Sequence, residues 1–301
     1  MVNETHPLIS VIIPVFNDAD CLKPCLQALA QQTYPQDRYE VIVVDNSPTP
    51  DPNLPPLAAQ FPWVVLAHEP QRGSYAARNH GLGLAKGSII AFTDADCLPA
   101  ATWLERGADW LRRHPDCGFV AGQIRFFFQN PDAPTAAELY DSRHFLQQKT
   151  YAEEYHFGAT ANLFTFKSRF EAVGLFNSRL YSGGDREWGE RVFAAGYPSL
   201  YADDVVIDHP ARHSFGELRR KVLRVTVGDH ELSQTNDQAL TAFLAGVLPE
   251  FKPSLRYAVA CMKDPTIPGW RRKLDCYVTY LALRYLKAGK RLQLYFSHRW
   301  S

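Results

Sequence analysis

The sequence predicts an α/β protein built on a doubly wound, mostly parallel sheet that is flanked by helices and followed by a helical C-terminal extension. Apolar, β-branched runs that stop at polar residues alternate with segments of helical periodicity in the N-terminal part of the chain. Beyond residue 214 the pattern is mostly helical. We therefore expect a sheet domain at 1–230, divided near residue 100, and a helical extension at 231–301.

The predicted elements follow one another in the order of a wound sheet. Residues 8–15 (LISVIIPV) form a β-branched run that ends at polar residues, as buried strands do. A helix is expected at 20–32, where three leucines recur at helical spacing. By the same criteria, further strands are expected at 39–44, 63–67, 88–93, 118–128, 161–166 and 205–207. Further helices are expected at 74–86, with Gly87 as its C-cap, at 101–113, at 135–148 and at 185–195, with Gly196 as its C-cap.

The composition allows a large core and indicates no polyanionic partner. The chain has 301 residues, 46% of them hydrophobic, and its 32 Lys and Arg residues balance 32 Asp and Glu residues. This neutrality offers no argument for nucleic acid, and none is expected as a partner. No basic segment followed by an apolar stretch opens the chain, and no run approaches the roughly 18 apolar residues of a membrane span. With six cysteines and no Cys-x-x-Cys pair, we expect a cytoplasmic location, including the inner face of the cytoplasmic membrane.

The most informative motif is Asp94-Ala95-Asp96, which directly follows the apolar run at 88–92. Open α/β sheets bind ligands beyond the carboxyl ends of their strands. Two carboxylates at such a strand end are hard oxygen ligands for Mg²⁺ or Mn²⁺, and such an ion can bridge to substrate phosphates. Asp-x-Asp also caps helices and solvates turns, so the motif gains weight only from the residues around it.

Other polar residues stand at predicted strand and helix ends. Asp45 ends the second strand, where it either accepts a hydrogen bond from a base or ribose or forms a turn with its own backbone. Arg72 and Arg78 flank the start of the helix at 74–86, where each either neutralises phosphate or lies on the surface. A nucleoside diphosphate sugar would use all of these groups together.

The ordered set of motifs resembles family 2 glycosyltransferases with the GT-A fold. The matching segments are PVFN (14–17), VIVVDNS (41–47), RGSYAARNHGL (72–82), FTDADC (92–97), GATANLFTF (158–166), GGDREWGERVFAAGY (183–197) and DHPARHS (208–214). The resemblance spans roughly residues 8–230, in the family's order. It implies a GT-A catalytic domain whose half at about 1–100 binds the nucleotide sugar and whose half at about 100–230 binds the acceptor.

The resemblance also implies roles for individual residues. Nucleotide-sugar contacts are expected from Pro14, Val15, Phe16, Asn17, Asp45, Arg72, Arg78, Asp94 and Ala95. Within this set Asp94 resembles the carboxylate that faces the ribose. Asp96 resembles the residue that holds the metal, and His209 resembles a further ligand of the metal or of the diphosphate. Because imidazole binds Mn²⁺ better than Mg²⁺, Mn²⁺ is slightly favoured over Mg²⁺.

Asp185 matches the aspartate whose carboxylate takes the proton of the acceptor hydroxyl. Inversion at the anomeric carbon needs such a base opposite the leaving diphosphate. The family usually has glutamate before this aspartate, whereas here Gly184 stands there. Glu187 is therefore the reserve candidate for the base, and Trp188 either stacks on an acceptor sugar or fills the core.

The expected function is an inverting, metal-dependent transfer of sugar from a nucleotide-diphosphate sugar, with UDP favoured, to a saccharide, lipid or other hydroxyl acceptor. Such a reaction belongs to cell-envelope polysaccharide or glycolipid synthesis. The alternatives are a sugar nucleotidyltransferase and a non-catalytic nucleotide-sugar-binding protein. A dehydrogenase is disfavoured, because no Gly-x-Gly-x-x-Gly follows the first strand.

The last thirty or so residues (271–301) combine helical periodicity with basic and aromatic residues. The apolar positions are Val278, Leu281, Tyr285, Ala288, Leu292 and Tyr295, and Trp300 lies near the end. Such a helix either contacts an anionic membrane as a peripheral element or docks on the rest of the protein with a solvated basic edge.

Overall fold

A computed structural model describes residues 6–233, 240–267 and 269–297. The chain forms two compact units. The first comprises the chain up to residue 126 together with 146–180 and 184–209. The second comprises 127–145, 181–183 and the chain from residue 210 onward. The domain boundary expected at residue 230 stays a prediction, and Trp300 lies outside the described residues.

One sheet organises the first unit, and its strands appear in the order β3-β2-β1-β4-β7-β6-β8-β5. The strands are β1 (Ile9–Val15), β2 (Tyr39–Asp45), β3 (Val64–His68), β4 (Ile89–Thr93), β5 (Leu98–Pro99), β6 (Phe119–Phe127), β7 (Asn162–Phe166) and β8 (Ser199–Pro210). Strands β1 to β4 pair in parallel, whereas β7 runs antiparallel to both β4 and β6. The predicted α/β class with its doubly wound sheet is confirmed.

The helices follow the predicted alternation. They are α1 (Ala19–Leu29), α2 (Leu54–Ala58), α3 (Ser74–Leu84), α4 (Trp103–Arg113), α5 (Ala136–His144), α6 (Gln148–Glu154), α7 (Lys167–Val173), α8 (Gly184–Ala194), α9 (Phe215–Ser233), α10 (Leu240–Val247), α11 (Leu255–Lys263) and α12 (Trp270–Ser297). Single 3₁₀ turns stand at Gln36–Arg38 and Leu248–Phe251. The helix predicted at 135–148 ends earlier, and a second helix, α6, follows it.

Strand β1 is apolar along its length because both of its faces are covered. Val11 and Ile13 belong to a core that also contains Trp103 of α4. Ile12, which points to the opposite face, packs in a second core with Trp188 of α8. Successive side chains of a strand alternate between faces, so a strand buried on both sides needs apolar residues at nearly every position.

The parallel register brings the carboxyl ends of β1, β2 and β3 to one edge of the sheet. Val15 pairs with Asp45, and Asp45 pairs with His68. Strand β4 pairs with β1 on its other side and ends at Thr93, directly before Asp94. We call this edge the carboxyl rim.

The expected role of Gly87 as a C-cap is wrong. Helix α3 already ends at Leu84, and its C-cap, Ala85, has extended backbone. Gly87 instead lies against β1, where a Cβ atom would be 2.6 Å from the backbone nitrogen of Ser10. Only glycine allows this close approach of two chain segments. Gly196 does close α8 with a φ of 89°, as expected.

The second unit consists mainly of helices, as the sequence predicts for its C-terminal part. Leu218 and Val222 of α9 pack with Leu283 of α12 in a small core. Ala288 of α12 is fully buried in another, which also contains Phe243 of α10. Most of the apolar stripe predicted on α12 therefore packs within this unit. Among the described residues, no helix is long and apolar enough to cross a membrane.

Candidate active site

Asp94 lies at the carboxyl rim and accepts a hydrogen bond from a buried arginine. Nη2 of Arg78 is 2.6 Å from Oδ1 of Asp94, and the arginine is 4% exposed. The Asp94 side chain is 34% exposed, so one side of the pair is open to a ligand. Nε of Arg78 is buried and has no hydrogen-bond partner in the described part of the chain. Because an orphaned buried donor is costly, this N–H is suited to a phosphate or ribose oxygen.

Asp96 and His209 form the part of the rim that fits a cation. Nε2 of His209 is 3.8 Å from Oδ1 of Asp96. The imidazole is almost fully buried at the end of β8, with the Phe126 ring 5.6 Å away between centroids. Carboxylate oxygen and imidazole nitrogen are ligands that Mn²⁺ accepts, and further ligands can come from phosphate and water.

Cys97 lies next to this pair, since potential ligand atoms of Asp96, Cys97 and His209 all lie within 4.8 Å of one another. The thiol is fully buried, and burial raises its pKa well above its ordinary value. A protonated thiol is a poor ligand for a hard cation. Asp96 with His209 therefore stays the predicted donor set for a cation.

Asp45 shapes the loop that follows β2. Its Oδ1 accepts the backbone N–H of Ser47 at 2.9 Å, and its Oδ2 accepts that of Asp51 at 2.7 Å. The carboxylate is 3% exposed, so these contacts match the turn alternative stated for this residue. The hydroxyl of Ser47 in turn accepts the backbone N–H of Asn17 at 3.0 Å.

The turn at 14–17 leaves one aromatic side chain at the surface. Asn17 has a φ of 48°, in the left-handed region that asparagine tolerates. Val15 is buried, whereas Phe16 is half exposed. Of the residues expected to contact the base in this turn, Phe16 and Asn17 are therefore the exposed ones. Ala95, expected at the same site, is buried in the core.

Asn46 holds the segment that carries Arg72, and the sequence motifs did not predict this role. Its amide nitrogen donates to the backbone carbonyls of Glu69 and Gln71, at 2.8 and 2.7 Å. Its amide oxygen accepts the backbone N–H of Gly73 at 2.8 Å. Arg72 itself is exposed and directly precedes Gly73, which begins the turn into α3. The sequence Asp45-Asn46-Ser47 at the end of β2 could have indicated this role, because asparagine side chains in such turns often bond to nearby backbone groups.

Asp185 lies in the first turn of α8 and is held by a side chain from α3. Its Oδ1 accepts the hydroxyl of Tyr75 at 3.0 Å and the backbone N–H of Arg186 at 3.0 Å. The guanidinium of Arg78 lies 5.7 Å from the centroid of the Tyr75 ring. Tyr75 therefore lies between the arginine that pairs with Asp94 and the carboxylate of Asp185.

Glu187 forms a bidentate ion pair with Arg191, at 2.7 and 3.0 Å. The same guanidinium donates to the carbonyls of Val173 and Leu175. Glu187 thus anchors an arginine that fastens the loop after α7. Trp188 is fully buried and stacks on Phe170 with centroids 4.5 Å apart, which places it in the core and not at an acceptor sugar.

The fold and the rim together have the layout of an α/β enzyme, with polar residues gathered at the carboxyl ends of the strands, where such sheets bind ligands. The family model described as "Glycosyl transferase family 2" matches residues 10–174. The chain belongs to glycosyltransferase family 2 and is a glycosyltransferase. The matched region contains Asp94 and Asp96 but ends before Asp185 and His209.

Similar proteins agree with this assignment. Glycosyltransferase AglE of Haloferax volcanii is 42% identical over 229 residues, which are 74% of this chain and 73% of that protein. A Methanococcus voltae protein is 24% identical over 218 residues, 68% of each chain, and is named dolichyl N-acetyl-alpha-D-glucosaminyl phosphate 3-beta-D-2,3-diacetamido-2,3-dideoxy-beta-D-glucuronosyltransferase.

A solved structure supports the fold. The mannosyltransferase PcManGT of Pyrobaculum calidifontis, in complex with GDP-Man and Mn²⁺, superposes with a TM-score of 0.65 at 21% identity. The match covers 95% of this chain and 87% of that one. The GT-A fold expected from the sequence is confirmed.

Proposed function

We propose that this glycosyltransferase moves a sugar from a nucleoside diphosphate sugar to an acceptor hydroxyl with inversion, assisted by a divalent cation. One observation supports the proposal: side-chain contacts, together with the short chain segment from Asp94 to Asp96, connect the residues to which we assign roles. His209 faces Asp96, two residues before it Asp94 pairs with Arg78, and the Arg78 guanidinium lies against Tyr75, which donates to Asp185. The proposed metal ligands, the guanidinium that we expect to face the phosphates and the proposed carboxylate base thus lie close together.

Asp96 and His209 are the residues that would hold the cation. The cation, when bound, supplies Lewis-acid stabilisation of the charge that develops on the leaving diphosphate. Asp94 and Arg78 bind the donor on the same side. The partly exposed carboxylate would accept a ribose hydroxyl, and the unpaired Nε–H of Arg78 would donate to a phosphate or ribose oxygen.

Asp185 is the better base of the two candidates. Its Oδ1 is occupied by Tyr75 and the Arg186 backbone, and among the described residues no group donates to its Oδ2. Oδ2 is therefore the atom that can take the proton of the acceptor hydroxyl. Both oxygens of Glu187 are engaged by Arg191, which makes that carboxylate a structural anchor.

Family membership favours this transfer over the two alternatives, a sugar nucleotidyltransferase and a silent binding protein. For the donor we retain a UDP sugar, and the GDP-Man bound to the similar mannosyltransferase makes GDP sugars the first competitor. For the acceptor, the name of the Methanococcus protein describes a lipid-linked sugar, which supports a glycolipid acceptor here.

The donor is tested by thermal unfolding with Mn²⁺ and a panel of UDP and GDP sugars. A ligand at 100 times its dissociation constant stabilises the folded state by about 2.7 kcal/mol, and the unfolding temperature rises accordingly. Stabilisation by UDP sugars that disappears with EDTA is expected. Stabilisation by GDP sugars alone would overturn the assignment of a UDP sugar as donor. Equal stabilisation in the presence of EDTA would overturn the proposal that donor binding depends on a divalent cation.

The base is tested by comparing two variants with a control on the same helix. Asp96→Ala is expected to abolish Mn²⁺-dependent nucleotide binding, measured by calorimetry. Asp185→Asn should retain that binding and lose transfer. Glu190→Gln changes an exposed carboxylate that, within the described part of the chain, accepts a hydrogen bond only from Arg186, and it should leave turnover unchanged. Normal turnover by the Asp185→Asn variant would show that another group is the base.

The second unit exposes an apolar surface that shares only Val278 with the stripe expected on α12. On α11, Leu255 and Val259 are exposed four residues apart. On α12, Trp270, Leu274 and Val278 repeat the pattern. Nζ of Lys273 donates to the backbone carbonyl of Met262 at 2.7 Å, so the end of α11 and the start of α12 are adjacent. We call these five apolar residues the exposed stripe.

Charge selects an anionic lipid surface as the partner of the exposed stripe. Residues 252–275 contain six basic and two acidic residues, namely Lys252, Arg256, Lys263, Arg271, Arg272 and Lys273 against Asp264 and Asp275. Like charges would repel a second copy of this face, whereas anionic headgroups would attract it. A lipid-linked acceptor would be presented at such a surface.

Vesicle sedimentation tests this contact. The protein is expected to bind phosphatidylglycerol vesicles and not phosphatidylcholine vesicles. Combined Leu255→Glu and Trp270→Glu substitutions should release it, while combined Val65→Glu and Leu84→Glu substitutions, at exposed apolar positions of the first unit, add the same charge and serve as the control. Equal binding by both variants, or no binding by the unchanged protein, would rule out this surface.

A further inference from the structure

The carboxylate of Asp185 owes its orientation to a residue 110 positions earlier in the chain. Tyr75 stands at the start of α3 and is 6% exposed, with its ring 5.7 Å from that of Phe176 between centroids. Burial and the neighbouring Asp185 charge raise the pKa of the Tyr75 hydroxyl above its ordinary value. The hydroxyl therefore keeps its proton at neutral pH and can only donate to the carboxylate.

Gly184 is the second part of this arrangement. A Cβ atom at position 184 would lie 2.8 Å from both Cδ2 and Cε2 of Tyr75. Ring carbons in a packed site cannot yield by the several tenths of an ångström that a normal contact requires. A side chain at 184 and the Tyr75 ring in its present position therefore exclude each other. This exclusion gives a physical reason for glycine at position 184.

We propose that Tyr75 is a positioning residue for the base and that Gly184 is its required partner. The hydroxyl holds Oδ1 of Asp185, which leaves Oδ2 directed to the acceptor. The ring fills the space that a longer residue at 184 would take. This inference rests on the proposed role of Asp185. It adds that the base is oriented from α3, the helix whose Arg78 also pairs with Asp94.

Helix α3 connects the carboxylate proposed for the donor side with the carboxylate proposed for the acceptor side. Tyr75 and Arg78 are three residues apart on α3 and so lie on one face of that helix. One of them contacts the donor-side carboxylate and the other the acceptor-side carboxylate. A shift of α3 would move both contacts together, so the base and the donor site keep a constant spacing.

Tyr75→Phe tests the proposal because it removes the hydroxyl and keeps the ring. Loss of a hydrogen bond to a charged group that is needed in the transition state corresponds to a decrease in kcat of about tenfold to hundredfold. The KM for the donor and the affinity for nucleotide with Mn²⁺ should remain unchanged, because no donor-side contact is altered.

Tyr39→Phe is the matched control. Its hydroxyl donates to the backbone carbonyl of Leu29 at 2.9 Å, and the residue is 5% exposed in the same unit. It therefore loses a comparable buried hydrogen bond away from the carboxyl rim. This variant should lower the unfolding midpoint without lowering kcat. If Tyr75→Phe behaves in the same way, with stability reduced and kcat retained, Tyr75 is merely structural and the proposal is overturned.

Asp185→Asn in the same assay distinguishes a failure of the proposed base from a failure of the positioning role of Tyr75. Normal turnover by that variant refutes the assignment of the base itself. An inactive Asp185→Asn variant beside a fully active Tyr75→Phe variant refutes only the positioning role.

A pair of variants at Gly184 tests the steric part. Gly184→Ala should lower the unfolding midpoint, and combining it with Tyr75→Leu, which removes the ring, should lower the midpoint by less than the sum of the two single losses. Additive losses in the double variant would contradict the exclusion.

Discussion

Asn162 ties three strands and a helix together beneath the carboxyl rim, and its replacement by leucine should destabilise the first unit strongly. Its Oδ1 accepts the indole N–H of Trp103 at 2.8 Å. Its Nδ2 donates to the backbone carbonyls of Gln123 and Val205, both at 2.9 Å. The residue is fully buried at the start of β7. These three bonds connect β7 to α4, β6 and β8.

The magnitude follows from the groups that leucine would leave behind. Leucine keeps the branched shape of asparagine, but its methyl groups are bulkier than the amide atoms, so overpacking adds to the loss of the hydrogen bonds. The buried Trp103 N–H would have no acceptor, which costs about 1–3 kcal/mol, and each carbonyl would lose a bond worth about 1 kcal/mol. The expected loss is about 3–5 kcal/mol of the free energy of unfolding. That is a large part of the roughly 5–15 kcal/mol that stabilises an ordinary domain.

Urea unfolding followed by circular dichroism measures this loss, and a double-mutant cycle tests its cause. Trp103→Phe removes the indole donor while keeping a ring. In that background Asn162→Leu should cost about 1–3 kcal/mol less than it does in the unchanged protein, because no donor is orphaned. A loss below about 1 kcal/mol for Asn162→Leu alone, or strictly additive losses in the cycle, would refute the reasoning.

Three further substitutions test the packing around the site. Gly107→Ala should lower stability by about 1–3 kcal/mol in chemical unfolding, because its Cβ would lie 2.5 Å from ring carbons of Phe164. Gly83→Ala, where nothing lies within 4 Å of the new atom, should raise stability by about 0.5–1 kcal/mol, and a loss there would contradict the open space seen. Arg191→Lys should lower stability by about 1–3 kcal/mol, since lysine cannot form the bidentate pair with Glu187 and bond the loop carbonyls as well. Unchanged proteolysis of that loop would count against this last expectation.

Much of the site could be placed from the sequence because strand ends are local features. The apolar run before Asp94 predicts a buried strand, and parallel register then brings this carboxylate to the same edge as the end of β2. The distinction between roles could not be predicted in this way. Whether Asp45 faces a ligand or its own loop depends on where the backbone of 47–51 turns, and the structure shows both oxygens engaged by that loop.

The choice between Asp185 and Glu187 shows the same limit. Both carboxylates stand in the first turn of one helix, and local sequence does not separate them. Their partners do: Tyr75 comes from α3, and Arg191 belongs to α8 itself. The first contact depends on how two helices distant in the chain approach each other, which in turn depends on the absence of a side chain at Gly184.

The sequence by itself determined the α/β class, the edge of the sheet where the polar residues gather and the family to which the chain belongs, since each follows from local apolar periodicity and from motifs in a fixed order. Only the tertiary structure decided which apolar residues of the C-terminal helices are exposed. Helical periodicity predicts burial equally well for the stripe expected at 278–295 and for the exposed stripe. In the predicted stripe Ala288 is fully buried, and Leu292 and Tyr295 pack against the cluster that contains Phe243 of α10, whereas Val278 is exposed. Burial is settled by the surface that neighbouring elements offer and not by the hydrophobicity of the helix alone.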